Sequence, residues 1–157
     1  MVLDIDWRVY MNREMLEQYY DLKKELNEVR ERISKTEEQL KRIESEGNVV
    51  DSVKGGSGGI QHFKIEGFPQ REYSRKKTLL YMRKATQAEL ESEIDEMVVE
   101  VEKFISDIDD SHARRIINFR FVDGKSWEDV AISMGGSNST EGVRKYFTRY
   151  MDKLSSK

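Results

Sequence analysis

The chain has 157 residues, with 27 Lys and Arg against 30 Asp and Glu, no cysteine and one proline, a length that suits one domain or a small domain with an extension. Without cysteine there is no disulfide scaffold, thiolate metal site or thiol nucleophile, and the short apolar runs do not span a bilayer. The start, Met1-Val2-Leu3-Asp4-Ile5-Asp6, lacks the basic and apolar regions of a secretory signal, so a soluble intracellular protein is expected.

The net charge of −3 conceals a partition: residues 1–63 sum to −3, 64–88 to +5, 89–110 to −9 and 111–157 to +4. Two basic blocks flank one acidic stretch, so the overall balance does not exclude a nucleic-acid partner. Glycine and proline are equally uneven. None occurs in 1–46 or 70–123, while six glycines and the only proline fall in 47–69. Two long helices separated by an irregular connection are predicted.

In the first helix Met15, Tyr19, Leu22, Leu26, Val29, Ile33, Thr36, Leu40 and Ile43 follow a 4-3-4-3 spacing, the stripe of a helix that supercoils with a partner. Glu31 with Lys35 and Glu37 with Lys41 are i,i+4 pairs in the favourable order, and Gly47 stops the helix. In the connection, 47–70, Lys54-Gly55-Gly56-Ser57-Gly58-Gly59 reads as a flexible linker; it lacks the Lys-Ser/Thr ending of a phosphate-binding loop. Phe63 and Ile65 alternate with polar residues as in a short strand or ordered turn. The segment is either mobile or a contact surface. The second helix is expected from about Glu72 to Ile108, with Leu90, Ile94, Met97, Val101, Phe104 and Ile108 on its stripe. Upstream, Leu79, Met82 and Thr86 keep the phase less cleanly. The stripes pair either as a hairpin or with a second chain; periodicity does not decide between them.

From Asp109 the helices shorten. Asp109 or Asp110 caps a helix to about Val122, with Ala113, Ile116, Ile117 and Phe121 inward, and Asp123-Gly124 ends it. Ser126-Trp127-Glu128-Asp129 has capping-box spacing, with Asp at the third helical position; it opens a helix to about Met134 that turns Trp127, Val130, Ala131 and Met134 inward. Gly135-Gly136 makes a tight turn. Ser139 or Ser137 caps a last helix, which buries Val143, Tyr146, Phe147, Tyr150, Met151 and Leu154. Short helix, glycine turn and a second helix with a basic outer side predict a helix-turn-helix. The chain divides at 108/109 on this reading, and the fold class is all-α: a long helical hairpin or coiled coil followed by this domain.

The run from Arg120 to Gly135, continued by Ser139-Thr140-Glu141-Gly142-Val143-Arg144-Lys145, resembles region 4 of bacterial RNA polymerase sigma factors. The whole layout is similar to phage and prophage late-gene regulators of the RinA-like and ArpU-like kinds. The resemblance implies a sequence-specific DNA-binding transcriptional regulator, a late-gene activator, working in the cytoplasm of a bacterial host. Double-stranded DNA is its implied partner and RNA polymerase a further candidate. Glu141 and Arg144 fall on positions that read −35 element bases in sigma factors. Lys145 takes a third such position, where those factors usually have Gln. Thr140 replaces a basic residue, and the turn is two residues longer through Ser137-Asn138. No counterpart of sigma region 2 is present. The expected DNA-contacting set is Thr140, Glu141, Arg144, Lys145, Thr148 and Arg149. In it Arg144 reads guanine, Lys145 and Arg149 hold phosphates, and Glu141 either accepts from cytosine or faces the helix amino-terminus.

Other features carry bland readings. His62 and His112 are ordinary histidines, Glu89–Asp110 is a solvated helix face without a calcium-loop pattern, and the Arg75–Lys84 cluster is a solvated face. No nucleophile–base pair, metal cluster or cofactor loop can be assembled, so no enzyme and no cofactor is expected. A homodimer through the coiled coil is expected. Two further functions fit the same layout: a DNA-packaging recognition protein of the small-terminase kind, and an adaptor that binds RNA polymerase without touching DNA.

Overall fold

The computed structural model describes residues 7–47, 49–55 and 61–156. The readings of Met1–Asp6 and of Gly56–Gly59 lie outside the described residues, as do the side chains of Phe63 and Ile65. In chain order the elements are α1 (Trp7–Glu46), β1 (Val49–Gly55), β2 (Gln61–Gly67), α2 (Gln70–Ser106), α3 (Ser111–Ile117), a π-helical turn (Asn118–Val122), α4 (Trp127–Met134) and α5 (Thr140–Ser155). Helices dominate, as the glycine distribution predicts. The connection is not irregular throughout: β1 and β2 pair antiparallel from Val49↔Gly67 to Gly55↔Gln61, and the short strand expected at Phe63 and Ile65 lies within β2. A hairpin closes the backbone hydrogen bonds that an irregular segment of this length would leave to water. None of the described helices is long and apolar enough to cross a membrane.

Packing groups Glu28–Ala88 as one compact unit and Met1–Asn27 with Glu89–Lys157 as another, whereas the sequence reading divides the chain at 108/109. On α1 the heptad spacing runs unbroken across the 27/28 boundary and carries no mark of the change.

In the 28–88 unit, α1 and α2 run antiparallel, so the heptad stripe closes within one chain. Val29, Ile33, Thr36 and Leu40 of α1 are all buried, each apolar one worth roughly 1.5–3 kcal/mol over an exposed side chain. On α2 the expected phase is corrected: Leu79 and Met82 are exposed. Counting back from Leu90 in steps of three and four gives Gln87, Arg83, Leu80, Lys76 and Tyr73, and Arg83, Lys76 and Tyr73 reach α1 through hydrogen bonds. Arg83 Nη1 donates to Thr36 Oγ1 at 2.5 Å and to the Arg32 carbonyl at 3.1 Å, Lys76 Nζ to Gln39 Oε1 at 2.9 Å, and Tyr73 Oη to Glu44 Oε1 at 2.5 Å. Thr36, 2% exposed, itself donates to the Arg32 carbonyl. Glu37 meets Lys84 of α2 at 2.9 Å, with Lys41 of its own helix a weaker electrostatic neighbour. The Lys84 bond holds the Glu37 carboxyl below the ordinary value.

In the other unit Leu16, Tyr19 and Tyr20 of α1 join Val101 and Ile105 of α2, Ile108, and the inward residues of the last helices in one core. Ala113, Ile116, Ile117 and Phe121 are buried as predicted, but the helix carrying them is not α-helical to its end. The Asp123 N–H reaches the Asn118 carbonyl, five residues back, at 2.9 Å. This π turn takes up one extra residue per turn. Gly124, at φ +70°, then ends the segment, and the Lys125 N–H bonds the Phe119 carbonyl, six residues back, at 3.0 Å. Lys23 Nζ of α1 donates to the Val122 carbonyl, tying α1 to the same turn. Burial lowers the pKa of Lys23, partly countered by Asp123.

Candidate nucleic-acid interface

Each helix start in the carboxy-terminal segment has its own cap. Asp110, rather than Asp109, opens α3: its Oδ1 accepts from the backbone N–H of His112 at 2.9 Å and of Ala113 at 3.2 Å, and its Oδ2 accepts from the Tyr146 hydroxyl at 2.5 Å. Ser126 Oγ accepts from Asp129 N at 3.1 Å, opening α4. The reciprocal half of a capping box differs from the usual form. The Asp129 carboxylate accepts a hydrogen bond from the Ser126 hydroxyl at 2.7 Å, its side chain being one methylene shorter than the Glu that normally reaches the cap backbone.

Between α4 and α5 the chain needs two left-handed residues in succession, supplied by Gly135 at φ +72° and Gly136 at φ +66°. Asn138 Nδ2 donates to the Gly135 carbonyl at 2.6 Å and so closes the two extra residues of the turn. Ser139 then caps α5, its Oγ accepting from Gly142 N at 3.0 Å. A Cβ on Gly142 would lie 3.0 Å from that oxygen, so the bare backbone leaves the serine its seat.

The cap sets the phase of α5. Val143, Phe147 and Met151 are buried, with Tyr146, Tyr150 and Leu154 partly so. The opposite side carries Glu141, Arg144, Lys145, Thr148 and Arg149 around one shallow concavity. Five of the six residues singled out from the sequence are therefore brought together. Thr140, the first residue of α5, is exposed but lies outside that lining. Thr148 is half-buried and the other four are exposed. Lys145 Nζ meets Glu141 Oε1 at 2.6 Å, so part of the charge on this face is internally balanced. Arg144 and Arg149 have no ion pair among the described residues. Glu141 also stands in the first turn of α5, where a carboxylate is favoured by the helix dipole.

A second concavity adjoins the first and was not visible in the sequence. Arg13, Glu17, Tyr20 and Asp21 of α1 line it together with Arg120, Phe121 and Trp127, and with Arg144, Phe147 and Thr148 of α5. Within this lining Arg120 Nη1 donates to the Tyr20 hydroxyl and to the Lys125 carbonyl, each at 2.7 Å, and the guanidinium lies 3.8 Å from the Tyr20 ring centroid and 5.0 Å from that of Trp127. The only sequence signal for the α1 members is the i, i+4, i+8 placement of Arg13, Glu17 and Asp21 beside the apolar stripe. That spacing is ordinary for a solvated helix face.

Comparison of the chain with protein-family models, with curated proteins and with solved structures finds no match.

Proposed function

We propose that α4, the glycine turn and α5 act as a helix-turn-helix resembling sigma region 4, and that the chain is a sequence-specific DNA-binding transcriptional regulator of the phage or prophage late-gene type. The observation that carries this reading is the outer face of α5, where Arg144, Lys145, Thr148 and Arg149 stand together while Val143, Phe147 and Met151 anchor the helix from behind. Such a helix suits the major groove. Arg144, without an ion pair among the described residues, is the residue to make two hydrogen bonds to guanine O6 and N7, worth roughly 1–3 kcal/mol of discrimination. Lys145 and Arg149 neutralise phosphates on either side, Lys145 by exchanging Glu141 for the backbone.

Genomic DNA affinity selection with sequencing tests the reading, using wild-type protein beside Arg144→Ala/Lys145→Ala. Enrichment of a discrete promoter-proximal site by wild type alone is the expected result. A site at a packaging start, together with a closed ring in light scattering, would move the protein to the packaging function. Folded protein that enriches nothing at low salt, where electrostatic binding is strongest, would leave the polymerase-adaptor function.

A further inference from the structure

We propose that the amino-terminal helix is part of the DNA-binding surface: Arg13 takes a backbone phosphate beside the bases read by Arg144, and Glu17 and Asp21 keep further phosphates away. This rests on the reading of α5 above. Three observations carry it. Arg144 and Thr148 line both concavities, so whatever reaches the outer face of α5 also meets α1. The α1 segment is held in place, since Leu16 is fully buried and the Tyr20 hydroxyl is bonded to Arg120. The Arg13 guanidinium lies 5.7 Å from the ring centroid of Phe147, the residue preceding Thr148.

The chemistry of the cleft favours a phosphodiester. Arg13 Nε approaches Glu17 Oε1 at 3.3 Å with both side chains substantially exposed, a pair worth little in water. A phosphate offers the guanidinium two charge-assisted hydrogen bonds instead, so exchanging the carboxylate for a phosphate is favourable. Asp21 has no ion-pair partner among the described residues and stays as a negative charge on the same wall. With the α1 wall offering one cation at Arg13 and carboxylates one and two turns further along at Glu17 and Asp21, the backbone is accepted at the Arg13 end and repelled beyond it. Glu17 and Asp21 thereby hold down sequence-independent binding.

The test is a salt titration of binding to a labelled duplex of randomised sequence, with wild type, Arg13→Ala, Glu17→Gln and Arg144→Ala, and melting curves for each. Arg13→Ala is expected to bind this duplex several-fold more weakly, with a plot of log affinity against log salt flatter by about 0.9, the loss of one phosphate contact. Glu17→Gln is expected to bind it more tightly than wild type. Wild-type affinity and slope in both variants would overturn the proposal. If at the same time Arg144→Ala lost the preference for selected over random duplex, the reading of α5 would stand without α1. Should Arg13→Ala fail to fold, Glu17→Gln carries the test, and unchanged binding in it overturns the proposal. No binding of the duplex by wild type at low salt would overturn both the proposal and the reading it rests on.

Discussion

Asp110 joins α3 to α5 through one carboxylate: it caps α3 with one oxygen and accepts from the Tyr146 hydroxyl of α5 with the other. The Tyr146 bond, with help from the His112 and Ala113 backbone, holds the Asp110 carboxyl below its ordinary value, and the same bond raises the Tyr146 phenol. The depressed acid contributes stability that is complete above the ordinary aspartate value and is lost as pH falls through the lower, folded one. The raised phenol contributes stability that is complete below the ordinary tyrosine value and is lost as pH rises through the higher, folded one. Tyr146→Phe is therefore expected to cost about 1 kcal/mol in the plateau between roughly pH 5 and 9. The difference from wild type should shrink at both ends in denaturant unfolding. Asp110→Ala should cost about 1 kcal/mol more than Tyr146→Phe, because the cap is lost as well. The capping role of an aspartate at 109 or 110 is local and visible in the sequence. The Tyr146 bond is not, because it links residues 36 positions apart.

Among the elements, the long helix pair depends on a polar layer. Arg83, Thr36 and the Arg32 carbonyl form a hydrogen-bonded cluster where an apolar contact would be usual, and a polar group within such a seam specifies register at a cost in stability. Arg83→Ala is expected to lose about 1–2 kcal/mol, since it strips partners from Thr36 and the carbonyl. Thr36→Val/Arg83→Leu removes both polar groups together and should recover most of that loss. A double-mutant cycle by thermal melting measures the coupling; additive losses would mean that the two residues act independently. The stripe on α1 is read directly from its spacing. That on α2 is obscured, because Leu79 and Met82 imitate the phase while the facing positions are held by Arg83, Lys76 and Tyr73. Composition identifies a stripe only where its members are apolar.

For the whole molecule, the carboxy-terminal helices share their core with α1 and α2, so they are not expected to fold as an isolated 109–157 fragment. Leu16, Tyr20, Val101 and Ile105 cover surface that the three short helices would otherwise expose to water. Leu16→Ala, more than one hundred residues from α5, should destabilise the protein by about 2–5 kcal/mol. It should also raise amide hydrogen exchange at Val143 and Phe147. A 109–157 peptide with native-like, well-dispersed amide resonances would contradict this view of the core.

The sequence by itself determined the features whose physics is local. These are the heptad stripe of α1, the serine and aspartate caps, the stop at Gly47 with its φ of +65°, the glycine turn, and the division of α5 into apolar and basic sides. Each depends on residues a few positions apart, where helical periodicity and backbone sterics leave few options. The tertiary structure alone decided what each surface meets: the pairing of β1 with β2, the polar face of α2 against α1, and the seating of Tyr20 against Arg120 across a separation of 100 residues. Burial is a property of contacts between distant segments. A residue on a periodic stripe states that it will be covered, while the fold decides by what.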